Sequence, residues 1–395
     1  MQQALKQAFR EEVYVYASYS NDLEANYMQL INRYNKADTS GRPWQVQVYT
    51  GDDYLERMLQ DKKGEVVIMA NNNQQKTGAI RKAAAAGLAV IADKPMALTA
   101  SGFALLQEAF AAADRHGQFV TDLPAMSMRK QVTCLLQKEL VAVRELFGTL
   151  EKGSPENPAV VQENLHYYYK GAQRPTWFFD VEQQGDGVTD VTTHLADLVL
   201  WTCFPEQRVR FNKDVRIVSA KLWPTIITPA QFEKTTRTDA YPDFLMPYRK
   251  DSVLEVFSNG EILSVIKKVH VRLTARWEAE PPAGKSDTHY SMLRGTRAAL
   301  LIRTGQPSDL YIEPVPGIRL PEFEKVLLHH FERLKKDYPF ISLHRESNGW
   351  RIASKKRMQE NAAPAIVPSR QEVDRMLAKY YITTQANRVA VRGGR

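Results

Sequence analysis

The sequence predicts an α/β domain built on a parallel, doubly wound sheet, followed by an α+β domain with a large, mostly antiparallel sheet. Three observations carry this. Short Val- and Ile-rich runs alternate with helical patterns over residues 13–122. Long strand-rich stretches at 209–222 and 252–279 dominate the second half. The chain has 395 residues, 44% of them apolar, enough for two cores. Pro124 marks the switch, giving domains 1–123 and 124–395.

Taken in order, residues 1–9 read as a helix already under way, with no apolar core of a signal peptide. Strands follow at 13–17, 45–49, 65–70, 88–92 and 118–122. Helices between them start at Asn21, Asp52, Gln74 and Thr99, and Gly87 closes the third. A dinucleotide-binding sheet of this kind begins with a strand and a glycine-rich turn that cradles a pyrophosphate. No Gly-x-Gly-x-x-Gly run occurs in the sequence. The expectation is a sheet lacking its first, central strand.

In the second domain, 126–146 reads as one helix and 160–170 as a strand. One face of that strand carries a polar row, Gln162, Asn164, His166, Tyr168 and Lys170, facing solvent, a partner or a cavity. Asn259-Gly260 is a hairpin signal inside 252–279. Residues 311–313 add a strand, and 341–352 a strand bent at Asn348-Gly349. Residues 320–336 form an amphipathic helix, and Ser369 with Glu372 opens a last helix over about 370–388.

The totals exclude several classes. Two cysteines far apart, Cys134 and Cys203, give no disulfide framework. The net charge of +8 comes from scattered Lys and Arg, not a basic groove with aromatics, which argues against nucleic acid. An anionic cofactor or substrate suits the excess. No apolar stretch is long enough to span a bilayer.

Two motifs carry chemistry. Asp93-Lys94-Pro95 follows a buried strand, where open α/β sheets bind ligands, and Pro95 biases Lys94 to an extended turn. Gly185-Asp186-Gly187 precedes a helix start at about Thr189 that carries Asp190, His194 and Asp197 on one face. A carboxylate beside an imidazole fixes its tautomer, and the helix N-terminus favours the neutral ring, so His194 can act as a general base. Asp197 reads as a helix-face carboxylate. Without a second histidine at helical spacing, a metal centre is not expected.

These motifs together resemble the Gfo/Idh/MocA family of nicotinamide-dependent oxidoreductases, which act mostly on sugars and cyclitols. The resemblance covers most of the chain. The runs 174–181 and 287–296 are similar to a bacterial subgroup with its own "putative oxidoreductase" C-terminal domain. The resemblance implies a Rossmann-like first domain with NAD or NADP as cofactor. It implies that Lys94 bridges the nicotinamide ribose and the substrate hydroxyl, that His194 exchanges a proton with the carbinol, and that Asp190 assists. It places Asn71, Asn72 and Asn73, with Asp93, Lys94 and Pro95, against the cofactor. The polar row and the turn after it add His166, Lys170 and Arg174 as substrate contacts.

Ser18, not a carboxylate, follows the strand at 13–17, so NAD and NADP are not distinguished. An NAD-dependent glycosidase and a binding protein with a degenerate cofactor site are the alternatives. An exposed face of the second sheet implies a homo-oligomer. The chain as it stands reads as cytoplasmic, and an export signal, common in the subgroup, would make it periplasmic.

Overall fold

The computed structural model describes residues 12–18, 21–37, 43–70, 72–171, 173–303 and 308–354, the side chains of 21–27 and 123–126 excepted. Asn71, the predicted helices at 1–9 and 370–388, and the Ser369/Glu372 cap lie outside the described residues. The first domain runs β1 (Glu12–Ala17), α1 (Asn21–Ala37), β2 (Gln45–Thr50), α2 (Tyr54–Asp61), β3 (Val66–Met69), α3 (Asn73–Ala85), β4 (Ala89–Ala92), α4 (Ala100–Arg115) and β5 (Val120–Thr121). All its strand pairs are parallel. Among the described residues they form two pieces, β1–β2 and β3–β4–β5.

β4 is the middle strand of its piece, and all four of its residues are buried, as an unbroken apolar run requires. Ile80, Ala83 and Ala84 of α3 and Leu106 and Ala109 of α4 pack with Val90 in one core. Gly87, at φ +82°, closes α3: Leu88 N–H donates to the Ala83 carbonyl and Gly87 N–H to that of Ala84. Within α3, a Cβ added to Gly78 meets nothing within 4 Å. Gly78→Ala is therefore expected to raise stability by about 0.5–1 kcal/mol, read as a higher midpoint in urea unfolding.

The second domain opens with a 3₁₀ segment (Leu123–Lys130), then α5 (Val132–Val141), α6 (Arg144–Phe147) and β6 (Val160–Tyr167). Next come α7 (Val181–Gln184), α8 (Thr192–Cys203), α9 (Phe211–Asp214), β7 (Val215–Ile227) and α10 (Pro229–Thr236). The chain continues through β8 (Arg249–Lys250), β9 (Val253–Ile266), β10 (Val269–Glu278), β11 (Thr288–Arg294), β12 (Ala298–Arg303), β13 (Asp309–Pro314), α11 (Leu320–Asp337), β14 (Ile341–Glu346) and β15 (Gly349–Ser354). The sheet order is β14-β15-β13-β12-β11-β6-β10-β9-β7, with β8 beside β9. Every pair is antiparallel except β6–β10. Leu136 and Leu140 of α5, Leu195 and Val199 of α8, and Phe323 and Leu327 of α11 share one core with sheet residues. Among the described residues no helix is long and apolar enough to cross a membrane.

Several expectations are corrected. The single helix over 126–146 is three pieces, because Gln131 (ψ 132°) and Val143 (ψ 98°) are extended. The strand expected over 209–222 begins at Val215, after the helical turn α9. The strand expected over 341–352 is the hairpin β14–β15. Asn259-Gly260 does not turn the chain: β9 runs straight through it, and the reversal is made by Lys267-Lys268, both with positive φ (46° and 74°). Asn259 instead accepts from Trp277 N–H at 2.7 Å and donates to the Trp223 carbonyl at 3.1 Å. The polar row of the strand divides: Gln162 and Asn164 are buried, with Gln162 bonding Ser291 and His289, while Lys170, past the end of β6 at Tyr167, is exposed.

Candidate active site

Lys94 leaves the carboxyl end of β4 in a turn whose own carboxylate holds it, since Asp93 Oδ1 accepts from Lys94 N–H at 2.9 Å. Its side chain crosses to the second domain. Nζ donates to Asp190 Oδ1 at 2.6 Å and to the Asp190 carbonyl at 3.1 Å. Asp190 is almost wholly buried, with only 6% of its side chain exposed. The lysine motif and the Gly-Asp-Gly motif, 96 residues apart, thus converge on one ion pair.

The approach of the second motif is set by backbone packing. Asp186 Oδ1 accepts from Val188 and Thr189 N–H, which turns the chain into a helical run. Gly187 N–H donates to the Phe257 carbonyl of β9 at 3.1 Å. A Cβ on Gly187 would meet the backbone of Ser258 and Asn259, and one on Gly260 would meet Val188 Cγ2 at 2.6 Å. Glycine on both sides lets the turn lie flat on the sheet. The regular helix α8 starts at Thr192, later than expected, with His194 half-buried in its first turn, one turn beyond Asp190. Asp197 is occupied structurally: Arg129 Nε donates to it at 2.7 Å and Arg129 Nη2 also pairs with it.

Asn72 and Asn73 join the domains. Asn72 caps α3 by accepting from Gln74 N–H at 2.9 Å, and its Nδ2 donates to Gln183 Oε1 at 2.7 Å. Asn73 Nδ2 donates to the Gln184 carbonyl at 2.6 Å. The Lys94–Pro95 peptide is cis. A cleft of about 850 Å³ opens beside the 185–189 turn, between α2, α3 and α4, and Thr99, Ser101 and Gly102 line it.

His166, Lys170 and Arg174 cluster at the end of β6. His166 Nδ1 and Lys170 Nζ meet Asp287 Oδ2 at 2.9 Å and 2.5 Å. Burial pushes the Asp287 carboxyl up, but the bonds from His166 and Lys170 outweigh it and hold the group below the usual carboxylate range. Arg174 stacks on Phe178 at 4.3 Å and donates to the Tyr168 carbonyl at 2.6 Å. Burial lowers its pKa, while Tyr168, Asp287 and Asp190 oppose this. Beside Asp190 lies a small hollow lined also by Tyr168, Phe178, Trp277, Ser258 and Gly185.

Sequence reasoning did not single out Asp287, which holds His166 and Lys170, or the Tyr168–Trp277 pair (5.0 Å). Asp287 stood in a run similar to the subgroup's, which was the available signal. It also missed the buried chain behind the site. His289 Nε2 meets Gln162 Oε1 at 2.9 Å, Gln162 Nε2 donates to Ser291 Oγ at 2.9 Å, and Ser291 donates to Gln137 Oε1 at 2.9 Å. Burial, aided by His166, pushes the His289 ring from an ordinary 6.5 down to about 4.

That shift has a sign. The unfolded ring takes a proton near its ordinary value while the folded ring resists it. Stability is therefore full above the ordinary value and falls as pH drops toward the folded one, by roughly 3 kcal/mol in total. His289→Gln should show a smaller drop in melting temperature between neutral pH and pH about 5 than the parent, measured by thermal unfolding.

Comparisons with known proteins agree with this architecture. A family profile described as "Oxidoreductase family, NAD-binding Rossmann fold" matches residues 7–121, and one described as "Putative oxidoreductase C terminal domain" matches residues 136–363. A crystal structure of a "putative oxidoreductase" from Parabacteroides merdae is 38% identical, covering 97% of this chain and 92% of its own, with a TM-score of 0.85. Structures under the same description from Erwinia carotovora (15% identity, 84% of this chain, 86% of its own, TM-score 0.55) and Thermotoga maritima (14%, 84%, 87%, 0.54) share the fold. No curated protein matches. With both profiles in chain order and a relative of this identity along nearly its whole length, the chain belongs to the Gfo/Idh/MocA family of oxidoreductases, in the group that carries this C-terminal domain.

Proposed function

We propose that this protein transfers a hydride between a nicotinamide cofactor, NAD or NADP, and a hydroxyl-bearing carbon of a sugar-like small molecule. The observation that carries the reading is the 2.6 Å contact of Lys94 with Asp190 across the two domains, one helical turn from His194. The nicotinamide end of the cofactor fits the residues present. Lys94 stands at the carboxyl end of β4 and Asn72 at the N-terminus of α3, where open α/β sheets receive ligands. A bound nicotinamide supplies or accepts the hydride at C4. Asp190 holds the Lys94 ammonium in place, and the ammonium polarises the substrate oxygen. His194 takes the hydroxyl proton as the carbonyl forms and returns it in the reverse direction. His166 and Lys170, set by Asp287, and Arg174 orient the remaining hydroxyls.

The test is calorimetric titration of NAD and NADP into the purified protein, followed by a dehydrogenase assay across a panel of sugars and cyclitols. Saturable micromolar binding with substrate-dependent change in nicotinamide absorbance is expected. Absence of binding to both cofactors overturns the proposal and favours a binding protein. We further infer a homo-oligomer that covers strand β7, whose Ile217, Leu222 and Ile226 are more than two-fifths exposed. Light scattering showing a dimer or higher state is the expected result, and a monomer at all concentrations refutes it.

A further inference from the structure

We propose that Lys76 is a positioning residue for Lys94: its buried ammonium fixes the 93–95 turn from behind and ties that turn to the loop carrying Asp190. This rests on the reading of Lys94 as a site residue. Lys76 lies on α3 and is 1% exposed, among the large side chains that are fully buried. Its Nζ donates to the Asp93 carbonyl at 3.2 Å and to Asn73 Oδ1. Asn73 in turn donates to the Gln184 carbonyl at 2.6 Å, at the foot of the 185–190 loop. One amine thereby bonds the turn before Lys94 and, through one side chain, the loop before Asp190.

An aliphatic residue would fill the same space without the cost of burying a charge, so packing alone does not account for a lysine here. The charged groups that face it are Asp93 and Lys94 from the turn after β4 and Asp190 from the loop before α8. Asn73 and Gln184, from α3 and α7, are neutral. Burial lowers the amine to about 8, with Lys94 adding to the effect and Asp93 and Asp190 opposing it. The grip on the turn therefore weakens as pH rises through that value, because the neutral amine donates less strongly.

The test is competitive labelling of lysines with acetic anhydride, read peptide by peptide by mass spectrometry, on wild type, Lys76→Met and Lys76→Gln. No cofactor or substrate is needed. Lys94 should label about threefold to tenfold faster at neutral pH in Lys76→Met, the range set by losing one hydrogen bond, with Lys76→Gln between. The wild-type Lys94 rate should step upward across pH about 8, and the step should vanish in both variants. Lys76→Gln keeps a donor and carries the test if Lys76→Met fails to fold. Equal Lys94 labelling in wild type and a folded variant overturns the proposal, as does a step that survives in the variants. A changed labelling pattern in a protein that binds no nicotinamide cofactor would leave Lys76 in place and remove the proposed reaction instead.

Discussion

Lys94→Met is expected to lower nicotinamide-dependent turnover by about 10²–10³-fold, the loss usual when one preorganised donor is removed from a reacting oxygen. It should also destabilise the fold. Asp190 loses its contact ammonium at 2.6 Å while its side chain stays 6% exposed, and an unpaired buried carboxylate costs roughly 3–5 kcal/mol. The two effects separate in the double variant Lys94→Met/Asp190→Asn. Removing the orphaned charge should recover most of the melting temperature and none of the turnover. Steady-state kinetics with the best substrate of the panel and thermal unfolding read the two quantities independently. Wild-type turnover in folded Lys94→Met would reject the role assigned to the amine.

Gly187→Ala should be among the most damaging single substitutions of this chain, at roughly 3 kcal/mol or more. The added methyl would fall closer to Ser258 and Asn259 than real Cβ atoms come, and the atoms it meets are backbone of β9, which cannot rotate away. The 185–190 turn would have to lift from the sheet, breaking the bond from Gly187 N–H to the Phe257 carbonyl. Asp190 follows in the same turn, so any soluble fraction should lose turnover as well. Urea unfolding, with Gly78→Ala as the opposite-signed control, measures the first effect.

The alternation of the first domain was legible because its buried strands are continuous apolar runs, Ala89–Ala92 above all. Lys94, Asp190 and His194 stood out as candidates because proline after a strand and glycine before a helix punctuate the backbone locally and because the two motifs together resemble the family's, and the fold brings Lys94 against Asp190. What was not legible depends on pairing over long distances. Asn259-Gly260 looks like a reversal, yet its glycine serves the approach of Val188, 72 positions earlier in the chain. Strands β11 and β12 were missed, and with them the partners of Gln162. Lys76 sits in the polar run Gln74-Gln75-Lys76-Thr77, where nothing local signals burial; the fold surrounds it with Asn73 and Asp93.

The parallel pair of the large sheet, the only one among the described residues, has an architectural consequence. Since β6 and β10 run the same way, from Val160 beside Val271 to Tyr167 beside Glu278, both leave the sheet at one rim. Neighbours running in opposite senses would send one of these exits to the far rim. The segments after Tyr167 and Glu278 instead emerge side by side, one bringing Lys170 and Arg174, the other Asp287. Insertions or exchanges in those two connections would alter the Asp287 cluster while the interior beneath keeps its register.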